Sequence, residues 1–403
     1  MSSHPDIVVI GAGAAGIAAA RKLDAAGASY VVLEAAARIG GRGLTDHSLG
    51  YPVDLGCTWL HSADENPLAN APKDSFGHDL DPSYLYLDDL ARWASGQEQA
   101  AIAAYVRACE RVITQAGERG EDPPVDTLVS GEPHFRRHFE WWCGAYTSVT
   151  PPEIGALDWA RYRDTGENWT VPTGFGARIA RRAGGLAIYR QTPVLSIEDA
   201  PGGRLSLVTP AGVLRPRTVI LTGSPPALQR IRFRPALPDW KQAALERLPL
   251  GRANKVVVRF DGLDPEWCSA RSAQISVRFG RYGRPIAEAF IEASLARALE
   301  PEGEAAQIAF VLDQYAAMYG NAVKTRVRGA RASLWGATPW IWGAYSAMTP
   351  GGGDPRADLA RPVDGRLFFA GEATHPYFFT AAHGAWLSGE RAAEEAMEAI
   401  SER

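Results

Sequence analysis

A glycine-rich segment near the N-terminus has the residue types that bind a pyrophosphate. Residues 11–16 have the sequence GAGAAG, follow an apolar run at 7–10 and open an alanine-rich stretch that includes Ala15. In a strand–turn–helix unit, Gly11 permits the tight turn, Gly13 lets the backbone approach the phosphates, and Gly16 lets the helix pack on the sheet. The first N–H groups of the helix then face the phosphates with a partial positive charge. The segment predicts a dinucleotide site.

A carboxylate follows at the spacing of a ribose contact. The helix is predicted to end near residue 26, and a second strand at 29–33 leads into Glu34 and Ala35. An acid at this distance from the glycines accepts hydrogen bonds from ribose hydroxyls. Its charge would also repel the 2′-phosphate of NADP.

The next residues favour FAD over NAD. Gly41 and Arg42 come just after the acidic strand and would bring backbone and a guanidinium to the same pyrophosphate. Near the C-terminus, residues 365–372 (GRLFFAGE) precede another alanine-rich helix. We expect the cofactor to join the two ends of the chain in one domain.

These segments resemble the flavin amine oxidase family, which includes monoamine oxidases, polyamine oxidases and flavin histone demethylases. The resemblance extends over nearly the whole chain, and only residues from about 70 to 170 depart freely. Its further segments are 54–61 (DLGCTWLH), 65–69 (ENPLA, as in polyamine oxidases), 193–197 (PVLSI), 253–258 (ANKVVV), 335–345 and 371–393.

The resemblance implies an FAD cofactor and a set of candidate site residues. The implied cofactor contacts, beyond those above, are Gly56, Cys57, Thr58, Trp59, Val194, Gly371, Glu372, Ala381 and Ala382. The implied active-site residues are Lys255, Tyr345, His61 and Trp335. Ala344 stands where the family carries its covalent flavin cysteine, so the FAD should be non-covalent. Ala381 replaces a second cage tyrosine, which implies a wider pocket than in a monoamine oxidase.

Lys255 is also notable from composition. Of the 42 basic residues only five are lysine, and Lys255 lies within an apolar strand. Where arginine is the default cation, a lysine there suggests that a compact amine with a shiftable pKa is required. The resemblance implies that it holds a water against flavin N5. The alternative is a lysine at a strand end that extends to solvent.

Other aromatic and histidine residues leave alternatives open. Trp335, Trp340, Trp342 and Tyr345 crowd one loop-rich segment and form either core packing or one wall of an aromatic cage. His61 is expected near the flavin edge, as a catalytic or a structural residue. His134 and His138 have the i,i+4 spacing of metal ligands, but no third ligand accompanies them, and a solvated helix face is predicted instead.

The chemistry implied by the resemblance is oxidation of an amine. A neutral amine would lose hydride from its α carbon to flavin N5, the imine would be hydrolysed, and dioxygen would be reduced to hydrogen peroxide. A desaturase or protoporphyrinogen-oxidase type of enzyme, and a non-catalytic flavoprotein, are the alternatives. No arginine stands at an evident carboxylate-binding position, which disfavours amino acids without excluding them. The amine and the oligomeric state stay open.

Composition limits the partners. A net charge of −4 gives no reason to expect nucleic acid or an anionic membrane. No stretch is long and apolar enough to span a bilayer. Four cysteines without CxxC spacing are expected to be small buried residues in a reducing compartment, which favours the cytoplasm. A small amine and dioxygen are the expected partners.

The expected fold is α/β, with a Rossmann-like FAD-binding domain and an interleaved mixed α+β substrate domain. The predicted boundaries are 1–64, 171–240 and 345–403 for the FAD-binding domain, and 65–170 and 241–344 for the substrate domain. Residues 83–120 are predicted to be mostly helical, with further helices at 132–145 and 305–319. Antiparallel strands are predicted at 255–260, 273–279 and 286–291.

Overall fold

A five-stranded parallel sheet joins the N-terminal, middle and C-terminal parts of the chain. The computed structural model describes residues 5–69, 76–77 and 84–402. The sheet has the order β10-β2-β1-β14-β21, and all its pairings are parallel. Its strands are β1 (Ile7–Ile10), β2 (Tyr30–Leu33), β10 (Ile188–Tyr189), β14 (Thr218–Leu221) and β21 (Leu367–Phe369).

Both faces of this sheet are covered, which explains its continuous apolar strands. On one face, Ile7 and Val9 pack with helices α1 (Ala14–Ala25) and α12 (Ala382–Ser401). Small residues let these helices approach, because a Cβ on Gly389 would lie 2.0 Å from the Ala15 carbonyl oxygen. The other face packs with a four-stranded sheet of order β13-β12-β11-β15. Its strands are β11 (Ser196–Ala200), β12 (Arg204–Thr209), β13 (Gly212–Leu214) and β15 (Arg232–Arg234).

A seven-stranded, mostly antiparallel sheet forms the second large layer. Its order is β20-β16-β19-β18-β17-β7-β8. The strands are β7 (Tyr84–Leu87), β8 (Arg92–Trp93), β16 (Ala253–Phe260), β17 (Ala270–Arg271), β18 (Ser276–Phe279), β19 (Ile286–Glu292) and β20 (Val327–Ala332). Val256 and Val258 pack on helix α9 (Glu304–Tyr319), so the residues that alternate with them, such as Lys255, lie on the opposite face.

Short strands and further helices complete the described residues. The strands are β3 (Thr45–Asp46), β4 (Val53–Asp54), β5 (Trp59–Leu60), β6 (Phe76–Gly77) and β9 (Trp169–Thr170). The helices are α2 (Gly96–Glu118), α3 (Pro133–Thr147), α4 (Ala156–Arg161), α5 (Phe175–Arg181), α6 (Pro225–Leu228), α7 (Asp239–Glu246), α8 (Ala293–Leu299), α10 (Ala322–Thr325) and α11 (Pro355–Ala360). Within the described ranges, none of the helices combines the length and apolar character needed to cross a bilayer.

Most predicted elements are confirmed, and three expectations are wrong. Residues 84–93 contain strands β7 and β8 rather than helix, since the alternating sequence YLYL pairs with β17 at the sheet edge. His138 is fully buried rather than solvated, because α3 is covered on that face. Two of the four free cysteines, Cys57 and Cys268, are only partly buried.

The sheets follow the predicted division of the chain. Every strand of the parallel sheet lies within 1–64, 171–240 or 345–403, and every strand of the seven-stranded sheet lies within 65–170 or 241–344. The boundaries themselves stay a prediction.

Candidate active site

A cavity of about 640 Å³ lies between the two large sheets. Ile10 of β1 and Leu33 of β2 border it on one side, and Lys255 of β16 and Phe290 of β19 border it on the other. The N-terminal glycine segment and the start of α12 reach the same cavity. Candidate residues that are far apart in the sequence therefore line the same cavity.

The glycine segment is fixed by close backbone contacts. Gly11 has φ +104°, and a Cβ at that position would lie 2.6 Å from Oγ1 of Thr222. A Cβ on Gly41 would lie 3.1 Å from the Cα of Gly13, so these two glycine backbones face each other at the cavity. Gly16 does not line the cavity, and its missing side chain instead makes room for the Gly11 carbonyl. Gly11 and Gly16 therefore require glycine for reasons of space.

Glu34 holds the glycine segment in place. Its carboxylate accepts hydrogen bonds from the backbone N–H of Ala12 at 2.7 Å and of Ala36 at 2.8 Å. Burial raises the pKa of Glu34 above its usual 4.5, against the opposing effect of these N–H groups. Ala35 and Val194 border the cavity beside it.

An ion pair connects the N-terminal and C-terminal segments of the site. Nη1 of Arg42 donates to Oε1 of Glu372 at 2.9 Å and to the carbonyl oxygen of Ala344 at 2.6 Å. Glu372 also accepts from the backbone N–H and the hydroxyl of Ser346. Burial raises the pKa of Glu372, but the neighbouring guanidinium groups and the hydrogen bonds from Ser346 and Thr380 together outweigh it and hold the pKa below 4.5. The N–H groups on Nη1 of Arg42 thus hold the N-terminal and C-terminal segments of the site together.

Lys255 extends from its strand into the segment 56–59. Its ammonium donates to the carbonyl oxygen of Gly56 at 2.6 Å and to the hydroxyl of Thr58. The side chain borders the cavity and is otherwise enclosed by protein. This enclosure lowers the pKa of Lys255 from its usual 10.5. A strand-end lysine in bulk solvent would have neither contact.

Segment 56–59 lies directly on the cavity. Gly56, Cys57, Thr58 and Trp59 all border it. A Cβ on Gly56 would lie 1.8 Å from the Arg42 carbonyl oxygen, so only glycine fits there. Although Cys57 is partly exposed at the cavity, enclosure of its thiol raises the pKa to about 12, which keeps it protonated and unreactive.

The predicted active-site residues surround the same space. Tyr345 borders the cavity, and its hydroxyl donates to the Ala145 carbonyl oxygen at 2.9 Å. Trp335 is buried and donates from Nε1 to the carbonyl oxygen of Leu55 at 3.0 Å. Nδ1 of His61 lies 2.6 Å from Oδ1 of Asn168, and His61 also borders the cavity. Trp340 borders the cavity but is 42% exposed.

Sequence analysis missed one aromatic wall. Trp141, Trp142 and Tyr146 of α3, together with Tyr162, border the cavity. Tyr146 and Tyr162 meet edge to face with ring centroids 5.1 Å apart. The amphipathic pattern of α3 indicated a buried face, but it did not indicate what that face borders.

The C-terminal helix begins at the cavity. Ala381 is the N-cap of α12, and Ala381, Ala382 and Gly371 all border the cavity. The first N–H groups of this twenty-residue helix have no intrahelical partners. They offer a partial positive charge to an electron-rich group.

These residues fit a bound FAD. Two helix N-termini, those of α1 and α12, open on the cavity, and the facing backbones of Gly13 and Gly41 leave room for a pyrophosphate. The lining of the cavity includes Glu34 and Val194, Lys255, and the aromatic residues around Tyr345. A bound cofactor would therefore meet polar groups and leave aromatic residues for a substrate.

Comparison with known proteins agrees with this geometry. The family model described as flavin containing amine oxidoreductase matches residues 14–108 and 113–397. The chain belongs to this family. The FAD cofactor and the expected class, an oxidoreductase that acts on CH–NH or CH–NH2 groups, are thereby confirmed.

Individual relatives match over nearly the whole chain. The chain is 27% identical to polyamine oxidase 4 of Oryza sativa subsp. japonica, covering 99% of this chain and 90% of the relative. It is 28% identical to a probable polyamine oxidase 4 of Arabidopsis thaliana, covering 99% and 88%. A cyclohexylamine oxidase from Brevibacterium oxydans superposes with a TM-score of 0.83 at 22% identity, covering 99% of this chain and 100% of that one. This superposition confirms the fold class of a Rossmann-like FAD domain with a mixed substrate domain.

Proposed function

We propose that the protein is an FAD-dependent amine oxidase. The observation that carries the proposal is the position of Lys255. Its side chain extends from the seven-stranded sheet to the carbonyl of Gly56 and the hydroxyl of Thr58 at the cavity. The chemistry that FAD would supply when bound is acceptance of a hydride from the α carbon of the amine and transfer of the two electrons to dioxygen, which yields hydrogen peroxide. The resulting imine would be hydrolysed by water.

The protein would select the neutral form of the amine. The chamber formed by Tyr345, Trp142, Tyr146 and Tyr162 is aromatic, and a poorly hydrated space disfavours the charged form of an amine. The π faces of these rings attract the ammonium during entry. Tyr345 is held in place by its hydrogen bond to α3.

Lys255 would act mainly on the oxygen half of the reaction. Negative charge develops as dioxygen is reduced, and a fixed positive group in a low-dielectric cavity stabilises it. His61 stands at the rim of the same space, with Asn168 and Asp164 beside it. We assign His61 a place in the site and no proton-transfer role.

The FAD is proposed to be non-covalent. Ala344 borders the cavity at the position where the resembled family carries its covalent cysteine, and it has no side chain that could form such a bond. Acid precipitation should therefore release the flavin into the supernatant. Colour that stays with the precipitated protein would contradict this assignment.

Product stoichiometry tests the proposed reaction. For a primary amine that is turned over, one dioxygen consumed should give one hydrogen peroxide, one aldehyde and one ammonia. Oxygen consumption without a carbonyl product would exclude amine oxidation. The cytoplasmic location stays a prediction from the cysteine pattern.

A further inference from the structure

One row of paired residues brings an arginine to the cavity side of the seven-stranded sheet. Lys255 of β16 pairs with Phe290 of β19, and Phe290 pairs with Ser276 of β18. Ser276 in turn pairs with Arg271 of β17. Directly paired residues of antiparallel strands share one face of the sheet. All four residues border the cavity.

A neighbouring row adds two more arginines. Arg278 pairs with Glu288 and lies two residues beyond Ser276, so it shares the same face. Arg281 follows β18, and its Nη1 lies 3.3 Å from Oε2 of Glu288. The guanidinium groups of Arg278 and Arg281 lie 5.0 and 4.8 Å from the ring centre of Trp59.

Basic residues outnumber acidic residues where the seven-stranded sheet borders the cavity. Lys255, Arg271, Arg278 and Arg281 border the cavity here, and Glu288 is the acidic residue among them. The other acidic residues that border the cavity are engaged elsewhere. Glu34 accepts two backbone N–H groups, Glu372 pairs with Arg42, and Asp164 lies beside His61.

We propose that the substrate is an amine that carries a carboxylate away from its reacting nitrogen, and that Arg271 and Arg278 determine this preference. The proposal rests on the amine oxidase function above. A guanidinium binds a carboxylate through paired hydrogen bonds. A polycationic amine would instead bring like charges together, which costs affinity and slows association.

Three amines of equal length test the preference. Anaerobic stopped-flow measurement gives the second-order rate of flavin reduction by 5-aminopentanoate, pentylamine and 1,5-diaminopentane, which differ in the charge of the far end. We expect the rate of flavin reduction to decrease from the anionic to the neutral to the cationic amine. The fastest and slowest should differ about tenfold or more, equivalent to about 1.4 kcal/mol. Arg271→Gln with Arg278→Gln should abolish the order, whereas Arg278→Lys should retain it.

Binding gives a second readout that needs no turnover. Pentanoate should perturb the absorption of the FAD-loaded enzyme, and its Kd should rise about tenfold in the double variant, equivalent to about 1.4 kcal/mol. Arg328→Gln is the matched control, since Arg328 is exposed on β20 and paired with Asp261. Each single variant is measured as well, so misfolding of the double variant leaves the test intact.

The outcomes separate this proposal from the function on which it rests. Faster reduction by the diamine than by 5-aminopentanoate, or pentanoate binding unchanged in the variants, would overturn it. If pentylamine reduces the flavin and 5-aminopentanoate does not, the anionic preference alone fails. If none of the three amines reduces the flavin, the carboxylate preference fails, and a broader panel of amines decides whether the amine oxidase function fails with it.

Discussion

Replacing Lys255 by methionine should separate the two half-reactions. Methionine keeps the length and apolar stem of lysine but removes the ammonium that donates to the Gly56 carbonyl at 2.6 Å and to the Thr58 hydroxyl. Hydride transfer from amine to flavin needs little from this charge. Reduction of dioxygen builds negative charge nearby, and loss of one preorganised group at comparable sites costs about 10²–10³ in rate.

The stability cost of this substitution follows from the same contacts. Two acceptors lose their donor, at about 1–3 kcal/mol for each unsatisfied buried group. Removal of an enclosed ammonium also relieves its own desolvation. We expect a net loss of about 1–3 kcal/mol in the free energy of unfolding, so the variant should still fold and bind FAD.

Double-mixing stopped-flow absorbance measures each half-reaction of this variant. Reoxidation should be slow in Lys255→Met, while anaerobic reduction stays near the wild-type rate. Enclosure lowers the pKa of Lys255 from 10.5. Because the charged form of Lys255 assists the reduction of dioxygen, the rate of wild-type reoxidation should fall as pH rises through that pKa. The variant should show no such decline. The surface variant Lys324→Met is the control. Unchanged reoxidation in Lys255→Met would refute the oxygen role.

Substitutions at three further residues test other parts of the site and the fold. Glu34→Ala removes the acceptor of the Ala12 and Ala36 N–H groups and the carboxylate expected at the ribose, and should weaken FAD binding, measured by titration of the apoprotein, by about 1.5–3 kcal/mol for each ribose hydrogen bond lost. Lys241→Met should lower the free energy of unfolding by about 1–3 kcal/mol in urea, since its ammonium donates to three carbonyls at the end of α11. Burial lowers the pKa of Lys241 to about 7. The unfolded chain therefore binds one more proton between that pH and the ordinary 10.5, and the wild-type advantage over Lys241→Met should grow as pH rises across this window. Tyr345→Ala should slow reduction by an amine about 10²-fold, whereas Tyr345→Phe loses one hydrogen bond of about 1 kcal/mol; equal rates in both would remove Tyr345 from the site.

The parts of the site that sequence analysis predicted are those fixed by local chemistry. Gly11 is required by its backbone conformation and Gly16 by the close approach of the Gly11 carbonyl, and the spacing of the glycines along the chain predicts both. The position of Glu34 in the site is predicted from its spacing to the glycines. In the structure its carboxylate oxygens accept hydrogen bonds from backbone N–H groups. Lys255 is notable as a rare lysine in an apolar strand.

The missed parts depend on pairing between distant segments. Arg271 reaches the cavity because a short strand pairs it with Ser276, and nothing in the local sequence indicates that register. The aromatic face of α3 is visible as a pattern, but its neighbour is set by the tertiary fold. Strands β7 and β8 lie at the start of a span predicted to be mostly helical, and they were missed because the strand that pairs with β7 is formed by residues far along the chain.

Anaerobic mixing of the FAD-loaded enzyme with a panel of monoamines, polyamines and amino acids tests the central claim most directly. The proposed function predicts that at least one amine bleaches the oxidised flavin spectrum. It also predicts that the rate rises with pH until the substrate nitrogen is deprotonated. An oxidised spectrum that persists with every amine, while an apolar ring compound reduces it, would contradict amine oxidation and favour a desaturase type of enzyme.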